Sequence, residues 1–413
     1  MASWYFSGVF AGDFHPCGGR VLRIFSLLNV LLYFSNAQLY FFQAGFTSFK
    51  PFYWYLVTLL LGSVFLLLRA GSRFSSPIKT RLLVWAGLSL MIASASFIFI
   101  STSDENALQV YIRNMQALSL LCMFSLFFRD EHVARDATKA VLVVVVFSVF
   151  LNWAEFLHVF GNRLLFSTVP GRSAGLYMDA NSSAAALVMG MVLSVFVLPQ
   201  KLRWWYCLLV ATGVLLTFSR GGIILWILAV GGLAWSNVFV LKRGTSVAGL
   251  VALAMVFALG LAAGDLIGVF KTAGLESYLD SNTSNRIGKS FLEQNDYSSK
   301  ARKMVAEQGL SMALEKPLLG WGIGTTKNPA TAIAPHNMYV LQGIEFGIVG
   351  LFMLCGLIWL IWKEGNERSG VIAVLYAVSN LFNQTNLEQP PVMLILALAI
   401  AGIGWRPTGI KGK

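Results

Sequence analysis

Unbroken apolar runs constrain this chain more than any other feature. Residues 141–151 and 247–261 are apolar or small throughout, with no alternation of polar and apolar positions. Crossing the hydrocarbon core of a bilayer takes about 20 apolar residues as a helix. Inside lipid every backbone N–H and C=O needs a partner within the protein, which leaves helices or a closed barrel. Barrel strands alternate lipid-facing and lumen-facing residues, and these runs do not. The chain is therefore expected to be all-α, a polytopic bundle of transmembrane helices. Its composition agrees: 56% of the 413 residues are hydrophobic and 12% charged, with mean hydropathy +0.68. A soluble domain carries about twice that charged fraction.

About twelve spans can be drawn, at 20–43, 53–69, 81–101, 106–128, 137–160, 181–199, 203–218, 221–240, 246–264, 337–362, 369–385 and 390–405. Lys and Arg in short loops set the orientation. With both termini cytoplasmic, the inner loops and tails collect 18 of the 31 basic residues, and the first two outer loops hold only Lys50. The net charge of +12 follows from this bias, so membrane lipid rather than nucleic acid is the expected partner. Cys17, Cys122, Cys207 and Cys355 are scattered, without the spacing of a disulfide framework or metal site. The N-terminus lacks the small-residue cleavage site of a secretory leader.

Three outer segments break the charge rule. One is 161–180, with Arg163 and Arg172; another is the turn Ser219-Arg220-Gly221-Gly222; the third is the long stretch 265–335. The chain thus divides into nine spans with short loops (1–264), an outer loop domain (265–336), and three spans with a cytoplasmic tail (337–413). Within the loop domain, Tyr297–Glu315 has the apolar spacing of an amphipathic helix, and Pro317 ends it. Gly320-Trp321-Gly322-Ile323-Gly324 then reads as a Gly-rich turn. Loops of this length usually serve a function.

The chemistry-bearing candidates fall on these outer segments. His336 lies in Ala334-Pro335-His336-Asn337-Met338-Tyr339, at the junction of the loop domain and the tenth span. Pro335 fits the first turn of a helix, whose dipole favours a neutral imidazole. Such a group at a wet membrane surface can act as a general base. The alternative is a snorkelling interfacial residue. Arg220 offers a planar fork suited to phosphate oxygens, and Ser219, Gly221 and Gly222 add backbone donors near a helix start. Arg172 and Arg286, each alone, read as solvated arginines. Gathered on one face with Arg220, they would suit a diphosphate headgroup. No His/Asp cluster with metal-ligand spacing accompanies them, so arginines alone could stabilise a diphosphate leaving group.

Taken in order, several pieces resemble the O-antigen ligase and polymerase superfamily of bacterial envelope glycosyltransferases. They are Gly171-Arg172-Ser173-Ala174-Gly175-Leu176-Tyr177 with Asn181, then Thr217-Phe218-Ser219-Arg220-Gly221-Gly222, then Pro317-Leu318-Leu319-Gly320-Trp321-Gly322-Ile323-Gly324. Pro335-His336-Asn337-Met338-Tyr339 and Glu345-Phe346-Gly347 follow. The lipopolysaccharide O-antigen ligases are the most similar branch. The resemblance implies a GT-C membrane glycosyltransferase of the bacterial inner membrane, with its active site facing the periplasm. Such an enzyme moves O-antigen from undecaprenyl diphosphate to a sugar hydroxyl of lipid A–core, with inversion and with neither metal nor other cofactor. His336 then takes the place of the family's outer-loop histidine. Arg220 and Arg286 take those of its diphosphate-binding arginines, with Arg172 beside them. Ser219, Gly221, Asn337 and Tyr339 are supporting residues.

Other readings stay open, an O-linked protein oligosaccharyltransferase among them. An O-antigen polymerase would use a lipid-linked glycan as acceptor. A lipid-linked glycan flippase would need charges deep in the spans, for which Arg113 and Glu155 are the candidates.

Overall fold

The computed structural model describes residues 17–68, 80–101, 105–159, 167, 172–236, 238–239, 297–328, 333–365 and 367–402. Every regular element among them is a helix. Helices α1 (Cys17–Phe34) and α2 (Ala37–Gln43) meet at a 52° bend. Then come α3 (Pro51–Leu68), α4 (Thr80–Phe99), α5 (Glu105–Phe127), α6 (Glu131–Phe156) and α7 (Ala180–Ser194). A one-turn 3-10 helix extends α7 to Val197. The series continues with α8 (Gln200–Leu216), α9 (Arg220–Trp235), α10 (Tyr297–Glu315), α11 (Met338–Glu364), α12 (Glu367–Ser379) and α13 (Pro390–Ala401).

The expectation of about twelve spans is not matched in full. Among the described residues six helices are long and apolar enough to cross a bilayer: α3 to α7, with α7 taken to Val197, and α11. The bent pair α1–α2 makes a seventh if counted as one span. Helices α9, α12 and α13 are apolar but short, and α8 has 17 residues. The ninth expected span, 246–264, lies outside the described residues. Shortness has a physical reason in α13. Its 12 residues cover only about 18 Å, yet all of them are buried among α1, α5, α7 and α11. A helix wrapped in protein need not match the bilayer thickness, because its neighbours rather than lipid surround its ends.

Small side chains let α7 take the other central place. Ala184, Ala185, Ala186 and Gly190 allow close approach of α6, α8, α9 and α13. Helix α10 spans the residues whose periodicity predicted it, and it packs against the N-terminal part of α11.

Helix α11 is broken. Gly347 sits at φ 60°, ψ −146°, and the Gly-rich turn fills the gap. Trp321 N donates to Ile344 O at 2.7 Å, Gly322 N to Glu345 O at 3.1 Å, and Ile348 N to Pro317 O at 2.8 Å. The buried Glu345 carboxylate accepts from Gly324 N and Thr326 Oγ1, both at 3.1 Å. Only glycine fits at two points of this joint. A Cβ on Gly320 (φ 71°) would lie 2.6 Å from the Glu345 backbone, and one on Gly347 2.5 Å from the Leu318 backbone.

Candidate functional site

Three helices begin in the same way at one end of the bundle. Before each stands a non-glycine residue in the left-handed region: Met178 (φ 61°), Phe218 (φ 46°) and His336 (φ 49°). Each is followed by an extended capping residue. Asp179 accepts from Ser182 N at the start of α7, Ser219 accepts from Gly222 N at α9, and Asn337 accepts from Tyr339 N and Val340 N at α11. A left-handed conformation costs a non-glycine residue on the order of 1–3 kcal/mol and persists where its surroundings over-determine it. The shared turn brings three positive dipole ends to one end of the bundle, which favours an anion there.

Hydrogen bonds join the first two of these turns. Arg172 is buried, 7% exposed. Its Nε donates to Thr217 O at 2.8 Å and its Nη2 to Asn181 Oδ1 at 3.0 Å. Ser219 Oγ donates to the same Asn181 oxygen at 2.8 Å, and Ser173 N donates to Leu216 O at 3.0 Å. The stretch beyond Arg172 is pinned by Glu155, whose Oε2 accepts from Ala174 N at 2.7 Å and Gly175 N at 2.9 Å. Glu155 thus sits near the C-terminal end of α6 and binds backbone. Arg220, partly exposed, opens α9 directly after its capping serine.

The third turn holds His336. Its side chain is exposed, and its backbone N donates to Gln384 Oε1 at 2.8 Å. The expectation that Pro335 lies in the first turn of the helix is corrected here. Asn337 is the cap and Met338 the first helical residue, so Pro335 and His336 precede the helix. Tyr339 is a tie between helices, its hydroxyl donating to Ala377 O at 2.9 Å. Arg286 lies outside the described residues.

One segment of this end was not anticipated. The span expected at 369–385 stops as α12 at Ser379, and residues 380–389 form a polar turn leading into α13. Asn386 Nδ2 donates to Asn380 Oδ1 at 2.7 Å and to Ser379 Oγ at 2.9 Å, in a fully buried cluster. This turn touches every other part of the site. Met338 N donates to Asn380 O at 2.8 Å, and Gln384 accepts from His336. A Cβ on Gly221 would stand 3.0 Å from the Phe382 ring. Gln389 Nε2 donates to Ser182 Oγ at 2.9 Å. Glu388 reaches Arg113 on α5 at 3.8 Å. Burial pushes the Glu388 carboxyl above the usual carboxylate range, and Arg113 and Lys327 oppose that shift. The sequence signal was the density of amide and hydroxyl side chains, Asn380 to Gln389, between two apolar runs. Such residues compete for backbone hydrogen bonds and end helices.

The His336 backbone and Gly221, the neighbour of Arg220, therefore both meet one ten-residue turn, and Arg172 bonds the Thr217 carbonyl just before Arg220. One comparison with known families finds a match. A family model described as O-antigen ligase matches residues 205–355. That stretch, less than half of the chain, is similar to the family. The matched stretch includes Arg220, Arg286 and His336, and leaves out Arg172 and the 380–389 turn. Neither the curated proteins nor the solved structures give a match to the chain.

Proposed function

We propose that this protein is a membrane glycosyltransferase that moves a glycan from undecaprenyl diphosphate to a sugar hydroxyl of lipid A–core at the periplasmic face. The observation that carries this reading is the shared turn: Phe382 packs on the Arg220 side and Gln384 binds the His336 side. The similarity of residues 205–355 to the O-antigen ligase family supports the substrate class.

In this mechanism His336 takes the proton of the acceptor hydroxyl. The acceptor oxygen attacks the anomeric carbon as the bond from that carbon to the diphosphate oxygen breaks, which inverts the centre. The leaving diphosphate gains charge. Arg220, the N-terminus of α9 and Arg286 stabilise that charge, so no metal or other cofactor is required. Arg172 acts behind this contact, its bonds to Thr217 O and Asn181 shaping the turn that presents Arg220. Ser219 and Gly221 form that turn, while Asn337 and Tyr339 seat the start of α11.

The test uses purified protein in nanodiscs with undecaprenyl-diphosphate-linked glycan and, in separate reactions, lipid A–core or a second lipid-linked glycan as acceptor. Product on lipid A–core, with or without a chelator, is the expected result. Product only on the lipid-linked acceptor would make the protein a polymerase. Movement of donor between leaflets with no new bond would make it a flippase and end this proposal.

A further inference from the structure

We infer that Gln384 is a positioning residue for His336, acting through the histidine backbone; this rests on the function proposed above. His336 holds a left-handed backbone in a place where glycine would be the ordinary choice. Its φ fixes the Cα–Cβ direction, so any relaxation toward negative φ swings the imidazole away from its present direction. Two bonds hold that conformation from outside its own segment. The His336 N–H meets Gln384 Oε1 at 2.8 Å, and the Met338 N–H meets Asn380 O at 2.8 Å. A backbone N–H can only donate, so the oxygen end of the Gln384 amide faces it. The acceptor is rigidly based. Ser379, Asn380 and Asn386 form a buried network beneath the turn. Asn383 Oδ1 also accepts from Thr385 N at 2.9 Å and Thr385 Oγ1 at 2.8 Å, immediately beside Gln384.

The same turn meets Arg220's neighbour Gly221 through Phe382. Gln384 therefore sets the base relative to the diphosphate site as well as relative to its own helix. The glutamine contributes an acceptor oxygen at one point, and a side chain that supplies such an oxygen at similar reach can replace it.

Steady-state transfer by purified protein in nanodiscs tests this, with undecaprenyl-diphosphate glycan as donor and lipid A–core as acceptor. Gln384→Leu keeps the size and removes the acceptor. It is expected to lower kcat about ten- to a hundredfold, as displacement of a catalytic group by about 1 Å does. KM for both substrates should stay within about twofold. Gln384→Glu restores an acceptor oxygen and should return kcat to within about threefold of wild type. Wild-type kcat in Gln384→Leu overturns the inference. So does a rise in both KM values with kcat unchanged, or an equal loss of kcat in the Leu and Glu variants. His336→Ala is run alongside. Full activity there removes the catalytic histidine and the proposed function with it, whereas an inactive His336→Ala beside a normal Gln384→Leu rejects the positioning role alone.

Discussion

The two ends of the bundle use polar side chains differently. Where α1, α4 and α6 start and α11 finishes, charges neutralise one another near the surface. Arg23 Nε donates to Asp136 at 2.7 Å, Lys139 reaches the same carboxylate at 3.3 Å, and Arg81 meets Glu364 at 3.1 Å. The basic partners are 46% to 61% exposed, and pairs of that kind contribute little. At the opposite end several polar groups are buried or half-buried and bound to backbone and amides. Arg172 bonds a carbonyl and an asparagine, Glu155 two backbone N–H groups, and Asn386 a serine and another asparagine. Each of those bonds is costly to lose, because the group left behind stays away from water. One end is electrostatically ordinary, and the other is held to a fixed shape.

The sharpest break of this contrast is His336→Ala at the constructed end. Transfer should fall by about 10²–10⁴-fold, the usual contribution of a general base, with folding unaffected; activity near wild type would leave the strained turn unexplained. Next, Arg220→Lys keeps the charge and loses the planar fork. Binding of labelled undecaprenyl diphosphate in nanodiscs should weaken by roughly tenfold, about 1.4 kcal/mol, and an unchanged affinity would remove Arg220 from the contact. Asn386→Ala leaves Asn380 and Ser379 without their buried donor. A loss of about 1–3 kcal/mol in stability, read from thermal melting in detergent, is expected.

A pH series sharpens the comparison within the fixed end. The Glu388 carboxyl lies above the usual carboxylate range through burial, so its contribution is largest at acidic pH, below the ordinary carboxylate range. That contribution is lost as pH rises through the raised value and the buried group must charge. Arg113 offsets that cost. Arg113→Gln should match wild-type stability in acid and fall behind it, by up to about 1 kcal/mol, as the pH rises through the raised value. The smallest effect belongs to the other end: Arg23→Ala should change melting by less than about 1 kcal/mol and leave transfer unaltered. A larger loss there would make the two ends alike.

Much of the fold could be read from apolar runs. Every expected span within the described residues contains helix, though the first is two helices bent by 52° and that at 369–385 stops at Ser379; α10 was located by its spacing and by Pro317. Hydropathy could not show which runs reach the thickness of a bilayer. The shortness of α13 is tolerated only because other helices surround it. His336, Arg220 and Arg172 stood out as charged or titratable residues in turns between apolar segments. The 380–389 turn did not, because amides carry no charge and an Asn-rich stretch beside an apolar run passes for the end of a span. The backbone conformation of His336 was likewise hidden. A left-handed histidine has no sequence mark, and the glutamine that receives its N–H lies 48 positions away.

The gap in α11 has a consequence for biogenesis. When residues 338–364 first leave the translocation machinery they bring carbonyls at Ile344 and Glu345 whose partners, Trp321 and Gly322, belong to the segment made just before. A hydrocarbon environment leaves such carbonyls unsatisfied at a cost of several kcal/mol each. The first part of this helix, up to Gly347, therefore reaches its final hydrogen bonding only once the glycine segment has folded against it. A single methyl group added at position 320 or 347 would act at that moment of assembly, before any substrate is met.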